Sequence, residues 1–137
     1  MSETPDEKTL VEAVDALADR FRAMPQSRLL GAVPGHPSRA AAGLALARRL
    51  AAAALAAEGA RPAGGAGGGA GGGPSQELPD AGAFAVGDQL AVVGHDLAAA
   101  LAALPADAAV ALPDGPLTVR ALRAQALGWL AETTAAL

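Results

Sequence analysis

The chain has 137 residues, a formal net charge of −4 and no cysteine. The acidic balance and the scattered basic residues argue against a nucleic-acid partner, because phosphate binding requires a concentrated basic surface. The lack of cysteine excludes disulfides, thiolate chemistry and zinc sites that need cysteine. Alanine and leucine account for 39 and 19 residues, and both favour helices. Since isoleucine and tyrosine are absent and valine is scarce, we expect a single all-α domain over residues 1–137.

The choice of residues also bears on where the protein is found. One lysine against nine arginines, together with the lack of isoleucine and asparagine, is typical of a GC-rich bacterial genome. Residues 1–8 are acidic and polar, unlike a secretory signal peptide. The most hydrophobic stretch, Ala40–Ala57, is interrupted by Arg48 and Arg49, whereas a membrane span needs about 20 apolar residues without central charges. We therefore predict a cytoplasmic bacterial protein with no membrane partner.

Two helices are predicted in the first half of the chain. The first starts at a capping box, Thr4-Pro5-Asp6-Glu7, and Pro25 ends it. Four apolar residues repeat along it at helical spacing: Leu10, Val14, Leu17 and Phe21. Residues 26–30 are compatible with one further turn, and residues 31–37 form a connection rich in helix breakers. The second helix is predicted over Ser38–Glu58, and its largely apolar circumference is typical of burial on more than one side.

A glycine-rich stretch follows the second predicted helix. Residues 61–74 read RPAGGAGGGAGGGP, and nothing in them repays the entropy that glycine loses on ordering. A phosphate-cradling loop would need a preceding strand and a following Lys-Ser/Thr pair. Here an alanine-rich helix precedes the stretch and Pro-Ser-Gln follows it. We therefore predict that residues 60–78 are a flexible linker within the domain.

The third predicted helix starts at Asp80 or Ala83 and is the most amphipathic segment of the chain. Six apolar residues mark its buried stripe: Val86, Leu90, Val93, Leu97, Leu101 and Leu104. Gly87 and Gly94 lie seven residues apart, and each weakens a helix by about 1 kcal/mol relative to alanine. We expect both glycines to allow close approach of a neighbouring helix.

A fourth helix is predicted from Thr118, as its N-cap, almost to the end of the chain. The turn signal at residues 113–116 precedes it, and a short hairpin of 110–112 with 117–119 is the alternative to a loop there. The short connections favour pairing of the first helix with the second and of the third with the fourth. The expected fold is therefore a four-helix antiparallel bundle-like domain, made of two helical hairpins joined by the glycine-rich linker.

One cluster has the residue types for chemistry, namely Asp88, His95 and Asp96 on the third predicted helix. Asp88 and His95 lie on the same face, and a histidine oriented by a carboxylate can act as a base or a metal ligand. A metal would need a further ligand, such as His36 or Glu132. The favoured interpretation is a solvated polar face opposite the leucine stripe.

A helical bundle with few histidines resembles, in outline, the DinB-like metal-dependent transferases. The resemblance implies a metal site that uses His95, Asp88 and His36. Those proteins use a site of the three-histidine type, whereas this chain has two histidines. We therefore predict that the chain is not an enzyme and has no cofactor, and we keep the transferase as the alternative.

The favoured function is a protein–protein interaction or regulatory module. Alanine-rich helices offer little bulk for closing a core within one chain, and an exposed apolar helix face usually marks an interaction site. A two-fold homodimer is the commonest way to bury such a face, so we expect a homodimer or another protein partner. The candidate interface residues are Leu44, Leu55 and Trp129. The alternatives are a monomeric bundle with the second helix at its centre and a core position for Trp129.

Overall fold

The structure is a computed structural model that describes residues 5–60 and 78–137, and it is mostly helical, as the composition predicts. Its elements in chain order are α1 (Pro5–Ala23), α2 (Gln26–Leu29), α3 (Arg39–Gly59), a 3-10 turn (Ala83–Ala85), α4 (Val86–Ala102), β1 (Ala109–Val110), β2 (Leu117–Thr118) and α5 (Val119–Ala136). Thr4, the cap residue of the predicted capping box, and residues 61–77 of the predicted linker lie outside the residues that the structure describes.

Two of the predicted helix starts are confirmed by their hydrogen bonds. The Ser38 hydroxyl accepts from the Ala41 amide at 2.9 Å, and the Thr118 hydroxyl accepts from the Ala121 amide at 3.0 Å. Each bond satisfies a backbone donor that has no partner within the helix. The predicted start at Asp80 is not observed, because its carboxylate accepts from the Gly82 amide at 3.0 Å in the loop before the 3-10 turn at Ala83.

The hairpin before α5 forms, although the sequence offered it only as the alternative to a loop. Ala109 pairs with Thr118 and Val110 with Leu117, in antiparallel register. A two-stranded ribbon is marginal by itself. Here the Val110 side chain is fully buried in the core, and β1 contacts both α3 and α5. Tertiary packing therefore stabilises a ribbon that its own hydrogen bonds would not.

The long helices pack in the cyclic order α1, α4, α3, α5. α1 is antiparallel to α4, because Val14 lies against Gly94 while Ala18 lies against Gly87. α3 is parallel to α4, because Gly43 near the start of α3 lies against Val86 at the start of α4. These contacts place α4 between α1 and α3.

The packing of α5 follows from its contacts with α3 and α1. Arg39, at the start of α3, donates to the main-chain oxygen of Leu137 at 3.1 Å, and Arg49 lies over the Trp129 ring. α5 is therefore antiparallel to α3. Arg20 near the end of α1 donates to the carbonyl of Thr134 near the end of α5, so these two helices are parallel.

This packing differs from the two predicted antiparallel hairpins. The main neighbours of α3 are α4 and α5, while those of α1 are the same two helices. A short connection brings the ends of two helices together but does not bring their faces into contact. Leu78, the first described residue after Ala60, lies beside α3, since its carbonyl accepts from Arg48 Nε at 2.9 Å.

The predicted apolar stripes are confirmed as the core. The four stripe residues of α1 are at most 2 % exposed, and the six of the third predicted helix are at most 8 % exposed. Gly43, Gly87 and Gly94 let the helices approach closely, since an added Cβ would overlap a neighbouring helix at each position. The prediction of close approach at Gly87 and Gly94 is therefore correct.

Gly94→Ala should destabilise the protein by about 1–3 kcal/mol, as overpacked cores do. The added Cβ would lie 2.6 Å from Cγ2 of Val14. Gly128→Ala is the matched control, because nothing lies within 4 Å of its added Cβ and the helix should gain up to about 1 kcal/mol. Urea unfolding followed by circular dichroism measures both changes. If Gly94→Ala stabilises the protein as Gly128→Ala does, α1 and α4 are not in close contact.

Candidate functional site

Asp88 belongs to a contact between helices rather than to a site with His95. Its Oδ1 lies 2.8 Å from both Nε and NH2 of Arg22 on α1. Arg22 also donates to Asp19 Oδ1 at 3.0 Å. The hydrogen bond to Asp88 is the main reason that the pKa of Arg22 is raised above its ordinary value, and Asp19 adds to the rise while desolvation opposes it. Asp19, Arg22 and Asp88 therefore form a network of exposed ion pairs on the protein surface.

His95 also takes its partner from α1. Its Nε2 lies 2.7 Å from Asp15 Oδ1, and the two side chains are about half exposed, at 51 % and 50 %. His36 lies in the loop before α3, where its backbone pairs with that of Val33. Within residues 5–60 and 78–137, no three histidine or acidic side chains lie close enough to hold a metal ion. Asp96 and Glu132 are both exposed.

The same geometry explains the seven-residue spacing that suggested a site. Asp88 and His95 each follow one of the two glycines of α4, and their partners Arg22 and Asp15 are also seven residues apart. Each of these polar contacts therefore flanks one close contact between α1 and α4. The Asp88 and His95 side chains are both partly exposed to solvent and both hydrogen-bonded to α1.

The predicted interface residues occupy three different environments. Leu44 is 8 % exposed and belongs to the core, which corrects its assignment to an open interface. It is buried because Gly43 brings the start of α4 close to α3. Leu55 is 51 % exposed on α3. Trp129 is partly buried against the core, and the guanidinium carbon of Arg49 lies 5.2 Å from its ring centroid, a cation–π geometry.

A groove of about 370 Å³, lined by both polar and apolar groups, lies beside the first half of α3, and we call it the α3 groove. Its apolar lining consists of Leu30, Ala40, Ala41, Leu44, Ala45, Ala83 and Val86. Polar groups of Ser38, Arg48 and Asp80 also line it. Segment 78–79 is held near the groove by two hydrogen bonds, from Arg48 to Leu78 and from Gln89 to the Pro79 carbonyl at 2.8 Å. These two hydrogen bonds hold the main chain of segment 78–79 against α3 and α4.

Two exposed large hydrophobic residues belong to the short elements around the α3 groove. Leu30, which lines the groove after α2, is 53 % exposed, and Phe84 in the 3-10 turn is 66 % exposed. α2 and the 3-10 turn contact each other, so the two side chains are carried by neighbouring elements. The other exposed large hydrophobic residues of the described chain, Leu55 and Val92, lie on the long helices α3 and α4. Leu30 therefore adds exposed apolar surface to the groove, and Phe84 adds it on the neighbouring turn.

Arg123 is a buried charge that the sequence analysis missed. Arg123 is only 4 % exposed. Its Nε has no hydrogen-bond partner in the part of the chain that the structure describes. A signal was present, since Arg123 shares a helical stripe of spacing four, three and four with the buried residues Val119, Ala126 and Leu130.

Neither a protein-family model, nor a curated protein, nor a solved structure matches this chain. α3 is long and apolar enough to cross a membrane by length and composition alone, and half of its most apolar window is buried inside the protein. The core helix of a soluble protein passes the same test, so this helix is weak evidence for a membrane span.

Metal analysis tests the transferase alternative. Because Asp88 and His95 bind different side chains of α1, we expect protein purified without a tag to carry less than stoichiometric zinc or nickel. The small amount present should be the same in the His95→Ala variant. Elemental analysis measures both samples, with Asp96→Ala as the control on the same helix. Stoichiometric metal that is lost only in His95→Ala would support the transferase instead.

Proposed function

We propose that the protein is a protein–protein interaction module and that the α3 groove, with Leu30 and Phe84 beside it, is its binding surface. The observation that carries this proposal is the exposure of Leu30 in the lining of the groove and of Phe84 on the 3-10 turn whose Ala83 lines it. Large aromatic and aliphatic side chains next to a pocket are typical anchors of protein interfaces, because their burial supplies most of the binding energy.

The groove's chemistry defines the kind of partner. Leu44, Val86 and several alanine side chains form the apolar part of its lining, which apolar side chains of the partner would fill. Arg48 and Asp80 give the lining one basic and one acidic group. An amphipathic helix that presents apolar residues at every third or fourth position would meet both requirements. We propose such a helix as the ligand.

The finer architecture is part of this proposal. The cyclic contacts of the four long helices support one bundle-like domain that carries the groove at one end. A flexible linker over residues 60–78 stays a prediction, as do a bacterial source and a cytoplasmic location. The transferase alternative, with His95, Asp88 and His36, gains no support from the geometry, since the first two residues take separate partners on α1.

Leu30→Ser combined with Phe84→Ser should weaken binding of the partner at least tenfold, about 1.4 kcal/mol, because both anchors lose their apolar surface. The matched control is Leu55→Ser combined with Val92→Ser, which removes two other exposed hydrophobic side chains. Proteins retained from a lysate of the source cells by the wild type would be purified, and their affinity for each variant measured by calorimetry. Equal affinity for both double variants would show that the groove is not the binding surface.

A further inference from the structure

A second apolar groove, of about 530 Å³, lies between α1 and α5 and shares no lining residue with the α3 groove. We call it the α1–α5 groove. Ala13, Ala16 and Leu17 line it from α1, and Leu127, Leu130 and Ala131 line it from α5. Arg20 lines it as well and donates to the Thr134 carbonyl at 3.3 Å. The lining is thus apolar along most of its length, with one basic group.

The outer face of α1 carries a charge pattern that is complementary to itself. Glu12, Ala16 and Arg20 are all exposed and lie four residues apart, so they share one face of the helix. Glu12 and Arg20 are about 12 Å apart along the helix axis, at 1.5 Å per residue, and therefore do not meet within one chain. Among residues 5–60 and 78–137, Glu12 makes no ion pair.

Two copies of this face match when the helices run antiparallel. A two-fold axis through Ala16 places Glu12 of each copy opposite Arg20 of the other, which gives two equivalent ion pairs. Such an isologous contact is the usual form of a homodimer interface. Small side chains at Ala13 and Ala16 would allow the two helices to approach closely. A second α1 would then lie along the α1–α5 groove and cover its apolar lining.

We propose that two copies of this chain pair through α1, antiparallel about a two-fold axis at Ala16, with each α1 covering the α1–α5 groove of the other copy. This interface differs from the one predicted at Leu44, Leu55 and Trp129. It is also independent of the partner helix proposed for the α3 groove.

The first test uses charge reversal and light scattering coupled to size exclusion. The wild type should have twice the chain mass of 13.3 kDa at tens of micromolar. Glu12→Arg or Arg20→Glu alone places like charges opposite each other and should raise the dimer Kd at least tenfold at low salt. The double variant Glu12→Arg/Arg20→Glu restores complementarity and should recover the dimer. Asp96→Arg, the same charge change on the exposed face of α4, should leave the dimer intact.

The second test uses the lack of cysteine in the chain. Ala16→Cys places one thiol of each copy at the two-fold axis, within the distance that a disulfide requires, so mild oxidation should give a covalent dimer. Ala99→Cys, exposed on α4, should stay mainly monomeric under the same conditions. A monomeric wild type overturns the proposal, and so does a dimer that neither single reversal weakens or that Ala16→Cys does not cross-link.

Discussion

The structure depends on the close contact of α4 with α1, which the missing side chains of Gly87 and Gly94 make possible. A Cβ at Gly87 would lie 2.9 Å from the carbonyl oxygen of Ala18, so the two backbones themselves are near contact there. Each glycine costs an isolated helix about 1 kcal/mol relative to alanine. The close contact offsets that cost, because dispersion attraction acts only between atoms at short distance. Small residues thus stabilise the contact by letting the two helices approach closely, although their own side chains bury little surface.

That contact also sets the positions of the polar groups. The two polar contacts between α1 and α4, the Arg22–Asp88 ion pair and the Asp15–His95 hydrogen bond, each adjoin a glycine of α4 and repeat after seven residues. An exposed ion pair contributes at most about 1 kcal/mol, so these contacts do not drive the association of the helices. They favour one register of α1 against α4, since a shift of one turn would separate both side chains from their partners. Packing supplies most of the stability, and the polar contacts supply the alignment.

The sequence was sufficient for the helices and their buried faces but not for their neighbours. Hydrophobic periodicity identifies which side of a helix is buried, and Ser38 and Thr118 have the side chains that cap helix starts. Periodicity does not say which helix covers that side. The neighbour of His95 is Asp15, 80 residues away in the chain, and no local pattern links them. The prediction that neighbouring helices pair as two antiparallel helical hairpins was wrong for the same reason. The length of a connection constrains where two helix ends lie and not which helix faces are in contact.

The candidate site shows the same division between local and tertiary information. Asp88 and His95 do share a face, as the spacing indicates, but seven residues along a helix separate them by about 10 Å, beyond the neighbours three and four residues apart. α1 supplies a separate hydrogen-bond partner to each of them instead of a common ligand. The exposed Leu30 and Phe84 had no periodic signal, because they lie at the end of a one-turn helix and in a 3-10 turn. Exposed apolar residues of this kind lie where short elements interrupt the long helices, and hydrophobic periodicity therefore does not identify them.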